Sequence, residues 1–219
     1  MISYTDQMQL FTVIGKEISK DIRCYAFGGN AMMFYGYKDE TKDVDLLFDE
    51  DADRDEFLQV LQRLGFQQQS LTTIYVPEKL RDKHKPVVVK KEDGRFDLFV
   101  NRIFHTQLSP RMKEDVFSVH EFQGKYKLTV LVLRKEHLVL LKSVTERDRD
   151  FEDIVTITKK DATFDWQYFL DEVLWQAEHG NSWALLDVEK MMKELQEYIF
   201  IPEKYLKQLY GKNGQKKRE

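Results

Sequence analysis

Residues Tyr25–Phe48 read Y-A-F-G-G-N-A-M-M-F-Y-G-Y-K-D-E-T-K-D-V-D-L-L-F, and the order of residue types in this stretch decides the fold. The apolar run Cys24 to Phe27 predicts a strand that Gly28 and Gly29 end with a tight turn. Asn30 to Tyr37 then predicts a helix closed near Gly36. After a charged loop, Asp43 to Phe48 predicts a second strand that opens with Asp43-Val44-Asp45. Residues i and i+2 of a strand share a face, roughly 6.5–7 Å apart along the chain. Two carboxylates so placed can share a divalent cation. Backbone N–H groups at a glycine turn heading a helix offer a place for a phosphate. A phosphate cradle followed by a carboxylate pair needs a third carboxylate and a substrate wall from elsewhere in the chain.

The bulk composition limits what surrounds this stretch. With 219 residues there is room for one large domain or two small ones. A hydrophobic share of 42% suits a packed core, and a net charge of −4 makes any basic surface local. The single cysteine, Cys24, excludes an internal disulfide and a cysteine zinc cluster, which suits a reducing, cytoplasmic setting. No apolar run reaches the roughly 18 residues of a membrane span, and the first residues lack the basic start and apolar block of a signal peptide.

Upstream, Thr5 to Lys20 has the spacing of an amphipathic helix, with Thr5 or Asp6 as its cap. Downstream, Asp49 to Asp55 alternates aspartates as a calcium loop does. That loop needs glycine at its sixth place and glutamate at its twelfth; Arg54 and Val60 stand there, so the cluster reads as an acidic first turn of a helix running to about Leu64. Leu71 to Val76 and Pro86 to Lys90 predict strands, and Asp93-Gly94 predicts a hairpin turn into a strand Arg95 to Val100. Ser109-Pro110 predicts a short helix, and Val116 to Val119 and Tyr126 to Leu133 predict further strands. From Arg134 helical patterns take over: Lys135 to Thr145, Asp148 to Lys159, Trp166 to Glu178, Ser182 to Tyr198 and Pro202 to Tyr210, with a fraying tail from Gly211. The expectation is an α+β chain: a mixed sheet with flanking helices over residues 1–133, then a helical domain over residues 134–219.

A third carboxylate stands in Arg95-Phe96-Asp97-Leu98-Phe99-Val100. Alternation puts Arg95, Asp97 and Phe99 on one face. If this strand pairs beside Asp43–Phe48, Asp97 joins Asp43 and Asp45. Clustered carboxylates raise one another's pKa unless a cation relieves them, and oxygen ligands suit Mg²⁺. The histidines have no zinc spacing, and Cys24 reads as core.

The phrases F-G-G-N-A, T-K-D-V-D-L-L-F and R-F-D-L-F-V, in this order, resemble the nucleotidyltransferase fold of the DNA polymerase β superfamily. With L-L-K-S-V-T-E-R-D-R-D-F-E-D-I they resemble the small prokaryotic nucleotidyltransferase-like proteins of abortive-infection and toxin–antitoxin systems. The resemblance implies a Mg²⁺-dependent transfer of a nucleotidyl group from an NTP to a hydroxyl of RNA, protein or a small molecule, with pyrophosphate release. It assigns Asp43, Asp45 and Asp97 to catalysis and metal binding, and Gly28, Gly29 and Asn30 to the nucleotide phosphates, Asn30 standing where the superfamily usually has Ser or Thr. Lys42, Lys142, Arg147 and Asp150 join the triphosphate wall; Lys142, on a largely apolar helix, could instead snorkel, and Arg147 and Asp150 could brace the wall or belong to an inter-helix ion-pair network with Arg149 and Asp153. The alternative is an inactive binding or regulatory module, one half of a toxin–antitoxin pair with a partner protein. A nuclease or phosphatase could use the same acidic residues. The basic stretch Lys79, Arg81, Lys83, His84, Lys85, Lys90 and Lys91 could hold an RNA backbone, or simply be solvated.

Overall fold

The structure is a computed structural model that describes residues 1–73, 81–92, 94–145 and 148–216. The chain divides into two compact units, Met1–Leu133 and Arg134–Glu219.

The first unit runs β1 (Ile2–Ser3), α1 (Tyr4–Glu17), β2 (Ile22–Phe27), α2 (Gly28–Phe34), β3 (Glu40–Thr41), β4 (Asp43–Phe48), α3 (Asp51–Arg63), β5 (Gln67–Gln68), β6 (Val87–Lys91), β7 (Gly94–Val100), β8 (Arg102–Ile103), β9 (Thr106–Gln107), α4 (Pro110–Glu114), β10 (Val116–Gln123) and β11 (Lys127–Leu133). The main sheet has the order β10-β11-β2-β4-β7-β6-β5, with β8 and β9 attached to β7. It is mixed: β4 runs parallel to β7 and antiparallel to β2, while β2 runs parallel to β11.

Alternation along β4 and β7 separates two faces. Val44, Leu46 and Phe48 on β4, with Phe96 and Leu98 on β7, are fully buried. Phe57 of α3 meets Phe48 and Phe96 at ring-centroid distances of 5.4 and 6.0 Å, so α3 covers this face. Each such ring removed from water contributes about 2–3 kcal/mol. Asp43, Asp45, Arg95 and Asp97 lie on the other face. β2 is buried on both sides, through Cys24, Tyr25 and Ala26; burial pushes the Cys24 thiol far up, so it remains protonated core.

α1 is capped by Ser3, one turn earlier than the expected Thr5 or Asp6. The Ser3 hydroxyl accepts from the Asp6 N–H at 3.1 Å and Asp6 accepts from the Ser3 N–H at 3.1 Å, a reciprocal capping box. At Gly15 a Cβ would stand 2.8 Å from the Phe122 carbonyl, so the helix packs backbone against backbone there. α3 begins at Asp51 with Asp51 and Asp53 in its first turn, and Arg54 pairs with Asp51 and Asp55 at 2.8 Å each: the acidic run is a helix start.

Other boundaries also differ from expectation. The predicted Asn30–Tyr37 helix is Gly28–Phe34, because the turn is completed in one residue, Gly28 at φ +65°. Residues Leu71–Thr73 form a 3₁₀ turn rather than a strand, and the rest of that prediction, to Val76, lies outside the described residues. Tyr126–Leu133 is a strand as expected, in a hairpin with β10, and it lies between β10 and β2. The β6–β7 hairpin pairs Lys91 with Gly94; Asp93 lies outside the described residues.

The second unit consists of α5 (Lys135–Ser143), α6 (Asp148–Lys160), α7 (Trp166–Glu178), α8 (Ala184–Leu195) and α9 (Glu203–Lys216). α5 is buried from Glu136 to Ser143, which marks it as the central helix. Asp165 caps α7 by accepting from the Tyr168 N–H at 2.9 Å. α9 extends through the residues expected to fray, to Lys216. No helix among the described residues is long and apolar enough to cross a membrane.

Candidate active site

The register places the acidic residues. β4 and β7 pair in parallel with Asp43 opposite Arg95 and Asp45 opposite Asp97. Because both strands alternate in phase, the side chains of all four residues emerge on one face. β2 pairs with β4 so that Phe27, its last residue, lies opposite Asp45. The chain leaving β2 must therefore turn over the Asp45 carboxylate. A Cβ at Gly28 would stand 2.2 Å from Asp45 Oδ2, and one at Gly29 would stand 2.5 Å from Thr41 Oγ1. A side chain at either position would have to displace the Asp45 or Thr41 side chain, and at Gly28 the positive φ also favours glycine.

Asn30 is fully buried. Its Oδ1 accepts from the Asp45 backbone N–H at 3.0 Å, which ties the head of α2 to β4. Its Nδ2 has no partner among the described residues, and an unmet buried donor costs about 1–3 kcal/mol. Thr41 Oγ1 donates to the Asp43 carbonyl at 3.1 Å and steadies the start of β4. Lys42, between them, is exposed.

Asp97 is only 1% exposed, and its charge is met by a neighbour on its own strand. Arg95 Nε donates to Asp97 Oδ1 at 2.7 Å and Arg95 Nη2 to Asp97 Oδ2 at 3.0 Å, a bidentate fork. The same Nη2 lies 3.0 Å from Asp43 Oδ2. Burial would pull the Arg95 pKa down, but Asp97 and Asp43 outweigh it and hold the guanidinium above its ordinary value. Arg95 is the residue that sequence reasoning left without a role. The signal was present in Arg95-x-Asp97, since the i,i+2 spacing puts both on the carboxylate face. Past Asp97 the face turns apolar: Phe99 packs edge-on against Phe27 and Phe104, each at 5.6 Å.

Asp43, Asp45 and Asp97 are thus brought together, with Gly28, Gly29 and Asn30 beside Asp45. As they stand, no three His, Cys, Asp or Glu side chains among the described residues are spaced to hold a metal ion. The Arg95 guanidinium bonds to both Asp43 and Asp97. The donors themselves, carboxylate oxygens beside a glycine cradle, fit a hard divalent cation.

Lys142 and Asp150 are brought together in the helical unit. Lys142 Nζ donates to Asp150 at 3.0 Å and to Asp153 at 2.6 Å, and Thr145 Oγ1 donates to the same Asp150 at 2.5 Å. Burial would lower the Lys142 pKa, but the two aspartates overcome it and raise it. Arg147 lies outside the described residues, as does Lys79 of the basic stretch; Arg81, Lys83, Lys85, Lys90 and Lys91 are exposed.

No family model matches the chain, and no curated protein matches it in sequence. Among solved structures, ANT(2")-Ia in complex with adenylyl-2"-tobramycin superposes on 80% of this chain and 98% of its own, with a TM-score of 0.52 at 11% identity. The fold is nucleotidyltransferase-like. JHP933 from Helicobacter pylori aligns over 99% of this chain and 100% of its own at 14% identity; its TM-score of 0.41 is too low to carry an argument.

Proposed function

We propose that this protein transfers a nucleotidyl group from an NTP to an acceptor hydroxyl with release of pyrophosphate. The observation that supports this reading is the register: Asp45 beside Asp97 on parallel strands, with Gly28 pressed against Asp45. In the reaction a bond forms between the acceptor oxygen and the α-phosphorus, and the bond from that phosphorus to the β-phosphate bridging oxygen breaks. Asp43, Asp45 and Asp97 would hold Mg²⁺, which supplies charge neutralisation at the reacting phosphate. Asp97 would complete the ion that activates the incoming hydroxyl. Gly28 and Gly29 leave the backbone open to phosphate oxygens, and the Asn30 Nδ2 is a donor that still lacks a partner among the described residues. Lys42, exposed and next to Asp43 in sequence, would add a cation. Lys142 and Asp150 enter as the brace of the helical unit, because Asp150 and Asp153 already meet the ammonium.

The acceptor is a hydroxyl of RNA, of a protein or of a small molecule; the adenylylated tobramycin in the ANT(2")-Ia complex is an instance of the last kind. The test is incubation of the purified protein with Mg²⁺ and each α-labelled NTP, with total RNA, protein and small-molecule fractions as acceptors. Label in one fraction, matched by pyrophosphate and lost in Asp45→Asn, supports the reading. RNA shortened instead of labelled would identify a nuclease. Label in no fraction with any nucleotide would leave an inactive binding module, and a toxin–antitoxin partner protein would then be its ligand.

A further inference from the structure

We propose that Arg95 is a resident counter-cation of the acidic site, which holds Asp43 and Asp97 together when no metal is bound and must leave them for a divalent ion to enter. This rests on the reading of Asp43, Asp45 and Asp97 as a metal site. Arg95 satisfies Asp97 with a two-point fork and reaches Asp43 across the strand gap with one of the same nitrogens. Those carboxylate oxygens are the ones a divalent ion would use, and a guanidinium and a dication repel each other at such range. The two cations are therefore mutually exclusive.

The geometry also gives the arginine a way out. Its side chain is 23% exposed and that of Asp43 is 33% exposed, whereas Asp97 is at 1%. The carboxylate end of the contact is fixed and the arginine end borders solvent. The swap exchanges one set of charge-assisted bonds for another and weakens metal binding by whatever the arginine contributes to the metal-free protein. Linkage then makes two matched statements: removing Arg95 destabilises the metal-free fold, and it tightens the metal.

The experiment is a Mn²⁺ titration followed by the electron paramagnetic resonance signal of the free ion. It is run on the wild type, Arg95→Met, Arg95→Lys and Asp45→Asn, with thermal unfolding measured without and with saturating Mn²⁺. Arg95→Met is expected to bind Mn²⁺ about tenfold more tightly than wild type. Its melting temperature should be lower without metal, and the deficit should shrink when Mn²⁺ saturates. Arg95→Lys, which keeps a charge but loses the fork, should fall between the two and carries the test if the methionine variant does not fold. Equal Mn²⁺ affinity in wild type and both arginine variants, with weaker binding in Asp45→Asn, would overturn the counter-cation and leave the metal site standing. Absence of Mn²⁺ binding in folded wild-type and arginine variants alike would overturn the metal site, and the inference with it.

Discussion

In the sheet unit one guanidinium stands among Asp43, Asp45 and Asp97; in the helical unit one ammonium stands between Asp150 and Asp153. The parts are alike, and the settings differ. Lys142 is 8% exposed and its two aspartates 14% and 10%, so the group is sealed. Arg95 and Asp43 border solvent, while Asp97 is at 1%. The sealed cluster loses heavily if opened. The acidic face has an exposed side and an adjoining glycine turn. Charge clusters of similar make-up thus differ in exposure: one is closed off, and the other is the place for a cation under the proposed function.

The largest expected effect lies on the site side of this comparison. Asp45→Asn should lower nucleotidyl transfer by about 10³-fold, roughly 4 kcal/mol of transition-state stabilisation, with little change in the unfolding midpoint. A large stability loss with activity retained would reverse the assignment. Next comes the brace. Lys142→Met removes the buried ammonium that bonds to Asp150 and Asp153 and should cost about 3–5 kcal/mol of unfolding free energy in denaturant titration. If instead stability holds and the KM for nucleotide rises, Lys142 belongs on the substrate and the contrast between the clusters dissolves.

Gly28→Ala is expected to cost about 1–3 kcal/mol, from a side chain at positive φ and from contact with the Asp45 carboxylate. Its signature is loss of activity in the protein that remains folded, since Asp45 must shift. Gly36 also has a positive φ, +70°, but a Cβ there meets nothing within 4 Å. Gly36→Ala should therefore show the backbone strain without the loss of activity.

The smallest effect is one of pH. The Lys142 pKa is raised above 10.5 in the fold. A raised folded value means that its stabilisation is complete below the unfolded pKa of about 10.4 and is lost as pH climbs through the folded one. Arg95 stays charged across the same range. Unfolding free energies measured on either side of that window should fall in wild type and by less in Lys142→Met. An equal fall in both would remove Lys142 from the pH response.

Much of this was legible from residues alone where the information is local. The strand, glycine turn, helix and second strand appear in the expected order, because alternation and glycine punctuation act over a few neighbours. The α7 bounds, Trp166–Glu178, match the expectation for the same reason: Asp165 caps one end and the apolar period fills the rest. What the residues alone do not give depends on a neighbour in space. Tyr126–Leu133 reads as a strand on its own, and its interior place beside β2 depends on pairing with residues 22–26. Asn30 carries no local sign that its Oδ1 accepts from the Asp45 N–H.

By itself the sequence determined which residues share a face, since a period of two is a property of the strand and needs no partner. It therefore put Asp43 with Asp45, and Arg95 with Asp97. Only the tertiary structure decided that the two pairs meet, with Asp45 opposite Asp97 and Arg95 bonded to both Asp97 and Asp43. The physical reason is that register between strands distant in sequence is set by how whole elements pack, here Phe57 of α3 against Phe48 and Phe96. An ion pair across that register exists only once the packing has fixed it.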